Sequence, residues 1–345
     1  MNQLPQKLER FFSFLETEVQ PKRALLNQDS DALFAMFEKM TKLGMLGVRI
    51  PNLYNGLALT ADELHLFNRN LARSSAALTL LQTQHQSVQG LIAHYATDEF
   101  KHTWLPPSCT GEVRLGIGFS HLHQIEYPPV TAREYSGHFV VNGPIRYATG
   151  YSVFNWLVLG FIIDNEEFMA LIPFEEQDGL EIGDKMSLIA ADSTQTICFN
   201  LTDYKVLKQN IFSRNPVGTF HAASIRSKHI VAYHMGTTLA ILDLIAISPL
   251  MKVNHVSDAY SYLQNKVSIQ EKNIANYPEG AITAPLRVQT LRLLQKTMFF
   301  ADQIFRGAAT NINHPLLLLK HEAQIFAALA SEEEMLKATC NSLLE

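Results

Sequence analysis

Thirteen histidines are scattered along 345 residues, and imidazole is the side chain that both binds transition metals and exchanges protons near neutral pH. The densest group is His121-Leu122-His123 with Glu126 close behind, two imidazoles and a carboxylate. A zinc centre needs a third strong ligand at a recognisable spacing, and none follows; nor does a His-Glu-x-x-His occur. The sequence therefore predicts no metal centre and a structural or surface role for this pair. His229 and His234 are five residues apart, which on a helix places them on different faces. No nucleophile is primed: Gly-x-Ser-x-Gly is absent, and Cys109, Cys198 and Cys340 have no neighbouring histidine. Gly116-Ile117-Gly118 is a fragment of a dinucleotide fingerprint that lacks its third glycine and a following helix. It reads instead as a strand whose glycines let something come close to the backbone.

These residues are positioned by three blocks of different periodicity. Up to about residue 106 the apolar positions recur at helical spacing, as in Leu8, Phe11, Phe12, Leu15 and Val19, then Leu33, Phe37, Met40 and Leu43. Gly44 is a stop signal, and Thr60-Ala61-Asp62-Glu63 is a capping box that opens a third helix through Leu64, Phe67 and Leu71. A nearly buried helix is predicted over 76–95, and a short one after Thr97 that Pro106 and Pro107 should end. The period then changes to two. Strands are predicted over 114–120, 130–135, 138–141, 156–163, 168–173, 195–199 and 204–207, with hairpin chemistry at Ser136-Gly137 and at Asp164-Asn165-Glu166-Glu167. Helical spacing returns near Pro216 in four long segments, 218–247, 252–275, 283–306 and 314–343. Helices, sheet, helices in that order define an α+β chain with segregated blocks.

Composition narrows the function classes. Only 18% of residues are charged, against about 25% in ordinary globular domains, while 47% are hydrophobic, so the deficit lies in surface charge. Part of the surface is therefore uncharged polar or covered by another subunit. The net charge of −5 comes with no block of basic residues, which argues against nucleic acid as a partner. The longest apolar run, 157–163, is too short to span a bilayer. An odd number of distant cysteines and the lack of signal-peptide order at the first residues predict a cytoplasmic protein.

A set of short motifs runs through all three blocks. Leu43-Gly44-Met45-Leu46-Gly47-Val48-Arg49-Ile50-Pro51 continues through Tyr54-Asn55-Gly56-Leu57 and Leu59-Thr60 to a helix ending Leu71-Ala72-Arg73. Gln84-His85, Gly90 and Ile92 lie on the next helix, and Thr97-Asp98-Glu99-Phe100-Lys101 with Trp104-Leu105-Pro106 on the one after. Val141-Asn142-Gly143, Arg146-Tyr147-Ala148-Thr149-Gly150, Pro173 and Gly179-Leu180-Glu181-Ile182 follow in the strand block. In this order the motifs resemble those of the acyl-CoA dehydrogenase family over essentially the whole chain. The resemblance implies an N-terminal helical domain (1–112), a middle β-barrel domain (113–212) and a C-terminal four-helix bundle (213–345). It also implies FAD, with FMN as the alternative, between barrel and bundle, in a homodimer or homotetramer that passes electrons to a partner protein. The implied reaction oxidises an acyl thioester, an acyl-CoA in the family, at Cα–Cβ: a carboxylate takes the α proton and flavin N5 takes hydride.

The resemblance also assigns residues. Ser120, after Phe119, falls on the hydroxyl residue that holds the flavin ring, and Tyr147, Ala148 and Thr149 fall on a segment whose aromatic side chain, backbone N–H and Thr hydroxyl contact it. His85 matches a histidine at the mouth of the substrate pocket, and a core histidine with satisfied hydrogen bonds is the equal alternative. Three places depart from the family pattern. His121-Leu122 replaces Glu-Pro, and Gln124-Ile125-Glu126-Tyr127 replaces a loop that holds the ligand. Lys252, Asn254 and His255 stand where an arginine motif grips the FAD pyrophosphate of the neighbouring subunit. His321 to Glu332 aligns with the family's C-terminal motif so that Ala330 occupies the position of the catalytic Glu. A methyl group accepts no proton, which leaves Glu332, His229 and His121 as candidate bases. Three readings stay open: a dehydrogenase, a flavin-dependent monooxygenase on the same fold that needs no α-proton base, and a member that keeps the fold without chemistry.

Overall fold

The computed structural model describes residues 6–123, 128–224, 229–277, 284–329 and 333–344, with the side chains of 222–224, 229, 333 and 334 outside the description. Its N-terminal block contains α1 (Gln6–Phe14), α2 (Arg23–Gln28), α3 (Ser30–Lys42), α4 (Ala61–Ser74), α5 (Ala76–Tyr95) and α6 (Asp98–Thr110). Local chemistry sets the boundaries. Asp29 accepts from the Ala32 N–H at the start of α3, the Thr60/Glu63 capping box opens α4, and Ser75 caps α5. Gly44, at φ +75°, follows α3 as the stop signal requires.

Pro106 and Pro107 do not end α6, contrary to expectation. The helix runs through both rings and stops at Gly111, which takes the left-handed conformation at φ +83°. Proline φ is already helical and only two donors are lost. The Ser108 hydroxyl turns back to the Leu105 carbonyl at 2.7 Å, and the Val113 N–H reaches the Pro107 carbonyl.

The strand block is one eight-stranded sheet: β1 (Leu115–Gly118), β2 (Thr131–Glu134), β3 (His138–Ala148), β4 (Trp156–Ile163), β5 (Glu166–Pro173), β6 (Leu180–Lys185), β7 (Ile197–Leu207) and β8 (Ile211–Pro216). The order is β6-β7-β3-β2-β4-β5-β8, with β1 parallel to β4. β1 and β2 lie end to end along one edge of β4: Leu115–Gly118 pair with Trp156–Leu159, and Thr131 pairs with Ile162. Four details differ from the periodicity. β3 continues to Ala148 across two register shifts, and the expected strands at 195–199 and 204–207 are one strand, with Asp203 at φ +50° inside it. β6 and β8 were not expected, because exposed edge strands rich in Glu, Asp, Lys and Arg carry little apolar alternation. The second hairpin turn is Asp164-Asn165 alone, since Glu166 already pairs with Ile163 and Glu167 with Ile162.

Helices follow: α7 (Thr219–Ser224), α8 (His229–Ala246), α9 (Asn254–Ala275), α10 (Ala284–Phe305), α11 (Pro315–Ala328) and α12 (Glu333–Leu344). No helix among the described residues is long and apolar enough to cross a membrane. One apolar core is shared by α1 to α5 and the sheet, joining Phe11, Phe37 and Leu81 to Phe154, Leu157 and Phe199. A second is built from α8 to α11 around Met235, Ile241, Leu263 and Leu294. α4 locks the first to the second. Gly236 of α8 lies against the backbone of Arg69 and Arg73, leaving no room for a Cβ. Arg73 makes two 2.7 Å hydrogen bonds to Asp243, while His65 and Arg69 both hold Glu271 of α9.

Candidate functional site

The glycines of β1 serve the sheet. A methyl group at Gly118 would meet Leu157 Cδ2 at 2.6 Å, and one at Gly116 would meet Leu157 and Phe154 at 3.1 Å. What comes close to this backbone is therefore the neighbouring strand's own apolar side chain. Past β1, Phe119 is buried edge-on against Phe220 of α7, with ring centroids 4.8 Å apart. Ser120 opens a 3₁₀ turn, Ser120–His123, in an exposed position, and its hydroxyl makes no hydrogen bond among the described residues.

The two histidines of that turn point to different places. His121 is buried with Nε2 at 2.8 Å from the Gly160 carbonyl. Burial, followed by the nearby His123, lowers its pKa to about 4. As a candidate base His121 is thus corrected: its Nε2–H is committed to a carbonyl and its neutral ring has little affinity for a proton. His123 is exposed and sits Nδ1 to Nδ1, 3.0 Å from His221 of α7. α7 is itself held by Glu167, a buried carboxylate on β5 that accepts from the N–H groups of Gly218 (3.0 Å) and Phe220 (2.7 Å). Burial raises the Glu167 pKa, and the two backbone donors oppose that shift. Glu167 escaped the sequence reading because it was taken as part of a turn.

The second predicted wall lies where β3 ends. Tyr147 is 54% exposed, Ala148 is buried and Thr149 is 8% exposed. Gly150, at φ +90°, turns the chain inward; its N–H donates to the Thr194 carbonyl, and the Phe154 ring leaves no space for a side chain. The Thr149 and Thr196 hydroxyls are 3.0 Å apart, those of Thr196 and Thr194 are 3.3 Å apart, and Thr194 donates to the Ala191 carbonyl. With the Thr194 proton committed inward, Thr196 donates to Thr194 and Thr149 donates to Thr196. Thr149 is thereby left as an acceptor toward the outside. The Thr149 carbonyl is 3.6 Å from the Cβ position of Gly116. At roughly 3.3 Å per residue, Ser120 lies no more than about 13 Å further along β1. The two predicted walls therefore flank one short stretch of sheet.

Of the two readings of His85, the structure shows the core position. It is fully buried between α5, α6 and β1, with Nε2 3.0 Å from the Ser108 carbonyl and Nδ1 accepting from the Leu115 N–H at 3.1 Å. Burial holds its pKa near 4. Both nitrogens are spent on joining the helices to the sheet.

The opposite side is formed by α5, α8 and α11. The hydroxyls of Thr83 on α5 and Tyr233 on α8 are 2.6 Å apart, and Tyr233 packs on Phe326 of α11 at 5.1 Å. His234 is fully buried beside the Phe326 carbonyl, its pKa also lowered to about 4 by burial. Glu322 of α11 is buried too: Oε1 accepts from the Ala76 N–H at the start of α5, and Oε2 lies 3.6 Å from Arg23 Nε without a hydrogen bond. Burial outweighs Arg23 and raises the Glu322 pKa. Of the remaining candidate bases, His229 begins α8 with its side chain outside the description, and Ala330 and Glu332 lie outside the described residues. Among the described residues no three His, Cys, Asp or Glu side chains are grouped to hold a metal.

The site and the order of blocks define a class of protein. Residues 6–112 match the family model of the acyl-CoA dehydrogenase N-terminal domain. A probable acyl-CoA dehydrogenase of Bacillus subtilis is 24% identical over 248 residues, 68% of this chain and 41% of that protein, so the match spans less than half of the relative's length. Among solved structures, butyryl-CoA dehydrogenase from Megasphaera elsdenii superposes over the full length of both chains with a TM-score of 0.78 at 16% identity. An acyl-CoA dehydrogenase of Bacillus anthracis, complexed with FAD, gives 0.82 at 16% identity over 98% of this chain and 66% of that one. Residues 6–112 thus carry an acyl-CoA dehydrogenase N-terminal domain, and the α+β fold of helices, sheet and helices is shared with the solved acyl-CoA dehydrogenases.

Proposed function

We propose that this protein is a flavin-dependent oxidoreductase acting on an acyl thioester, with FAD against the stretch of β1 between Ser120 and Tyr147–Thr149. The observation that carries the reading is the chemistry of those two ends: a free, exposed Ser120 hydroxyl at one, and at the other a Thr149 hydroxyl whose proton is directed inward, so that it faces outward as an acceptor. A hydride-accepting ring needs such an acceptor once its N5 carries a proton. Ser120, Tyr147 and the Ala148 and Thr149 backbone would hold the ring, and exposed Lys252, Asn254 and His255 at the start of α9 are available to the dinucleotide half. FAD supplies the hydride acceptor when bound. This chain's residues orient the thioester between α5 and α8, exclude water with Phe119, Phe220 and Tyr233, and take the α proton at Glu332 or His229.

The alignment of Ala330 with the usual base and the committed state of His121 favour a second reading, a monooxygenase on the same fold. Exposed apolar side chains on the bundle, Phe299 of α10 and Leu336, Leu343 and Leu344 of α12, support a homodimer or homotetramer. Reconstitution with FAD should give a flavin spectrum and a thermal upshift, and Thr149→Val should weaken both. Absence of any flavin signal overturns the proposal. Anaerobic addition of acyl-CoA should bleach the flavin; an unbleached flavin that consumes oxygen when chemically reduced selects the second reading.

A further inference from the structure

Between β6 and β7 the chain makes a hook, residues 191–196, in which the 3₁₀ turn Asp192–Thr194 is flanked by two left-handed residues, Ala191 at φ +56° and Gln195 at φ +50°. Neither is glycine, and residues with a side chain hold that conformation only where their surroundings over-determine it. The surroundings here are α2 and the start of α3. Asn27 Oδ1 accepts from the Ala191 N–H at 2.6 Å, the Ser193 hydroxyl donates to the Leu26 carbonyl at 2.5 Å, and the Gln195 amide donates to the Ser30 hydroxyl. On its other side the hook carries the end of β3: the Gly150 N–H donates to the Thr194 carbonyl and the Tyr151 N–H to the Gln195 carbonyl. Through one strained turn, the helical block thus fixes the backbone that follows Thr149.

The same hook sets the direction of a chain of hydroxyls. Thr194, Thr196 and Thr149 are all buried. Each hydroxyl has one proton to give, and the Ala191 carbonyl at the deep end has none. The order is therefore fixed from the inside outward: Thr194 donates to Ala191 at 2.7 Å, Thr196 to Thr194 at 3.3 Å and Thr149 to Thr196 at 3.0 Å. Thr196 is the residue that takes the Thr149 proton. Without it the Thr149 hydroxyl has no inner acceptor among the described residues, and its proton can turn outward.

Hydride transfer, two electrons and one proton, turns flavin N5 from a lone-pair acceptor into an N–H donor. A hydroxyl that only accepts bonds to the second state and leaves the first without a partner. Resting on the reading that the flavin ring lies against Thr149, we propose that Thr196 is a positioning residue that sets the redox poise of the bound flavin: by drawing the Thr149 proton inward it favours the reduced ring. The hook on α2 makes that direction a fixed property of the fold.

The test uses the protein loaded with FAD and reads the two-electron midpoint potential during slow reduction by xanthine and xanthine oxidase beside a reference dye, with no thioester present. Thr196→Val lets the Thr149 proton turn outward and should shift the balance of the two flavin states about tenfold toward the oxidised one, which lowers the midpoint by about 30 mV for two electrons. Thr196→Ser keeps the hydroxyl and should restore the parent value. Thr194→Val removes the inner acceptor without touching Thr149; the Thr196 proton then turns to Thr149, and the midpoint should fall as well. In a Thr149→Val background, Thr196→Val should add nothing. An unchanged midpoint in flavin-loaded Thr196→Val, or a shift that persists without the Thr149 hydroxyl, overturns the proposal and leaves the flavoprotein reading intact. A parent that takes up no FAD overturns both. Neutron diffraction from crystals of the flavin-free protein is a second measurement: the Thr149 deuteron should point at Thr196, and a deuteron on the outward side overturns the proposal whether or not FAD binds.

Discussion

Two junctions in this molecule bury ionisable groups, and they treat them differently. Where α5 and α6 meet the sheet, His85 uses both ring nitrogens, and nearby Glu167 receives two backbone N–H groups. Where α8 meets α11, neither nitrogen of His234 has a hydrogen bond, and Glu322 has one oxygen bonded and the other merely near Arg23. Burial is complete or nearly so at both places. The difference is in satisfaction, and unsatisfied buried polar groups are few in folded proteins and call for a reason. The first junction is a strut that fixes β1 and α7. The second, between α8 and α11, keeps polar capacity unspent.

The largest effect that would sharpen this contrast is at Glu322. Glu322→Leu leaves Arg23 and the Ala76 N–H without their carboxylate and should cost about 3–5 kcal/mol in urea unfolding, whereas Glu322→Gln, which keeps an acceptor for Ala76, should cost less. Next come the two histidines. His85→Leu strands the Ser108 carbonyl and the Leu115 N–H and should cost about 3 kcal/mol. His234→Leu loses no hydrogen bond and should change stability by less than about 1.5 kcal/mol. Equal costs for the two histidine variants would break the comparison.

The smallest effect is the response to pH. Burial holds the pKa values of His85, His121 and His234 near 4, below the ordinary imidazole value of about 6.5. Between those values the unfolded chain binds protons that the folded one does not, so the stability they contribute is complete above about pH 6.5 and is lost as pH falls toward 4. Glu322 acts in the opposite sense: its raised pKa means that acidification toward the carboxylate range favours the folded state. Denaturation midpoints at pH 7.5, 6 and 5 should therefore fall, and fall less in His85→Leu than in the parent.

Much of the frame was legible because it rests on local rules. The capping box at Thr60, the stop at Gly44 and the bounds of α5 follow from neighbours within a turn or two. The candidate flavin contacts were found only by resemblance, since nothing in the spacing of Ser120 or Thr149 distinguishes them from ordinary strand residues. Glu167 and Thr196 were missed. Each acquires its chemistry from a partner far away in sequence: Glu167 from the N-terminus of α7, Thr196 from Thr149. His85 kept two readings for the same reason, as a histidine at a pocket mouth and one bonded inside a core have the same letters around them.

The sequence by itself determined the order of the blocks, most helix boundaries and the resemblance to acyl-CoA dehydrogenases, because periodicity, caps and glycine stops act over a few residues and survive at low identity. Only the tertiary structure decided which polar groups are spent and which are free. It directed the Thr149 proton inward through Thr196 and Thr194 and closed both nitrogens of His85. Those outcomes depend on distances between elements, which a hydrophobic pattern places on a common core but does not set to within a hydrogen bond.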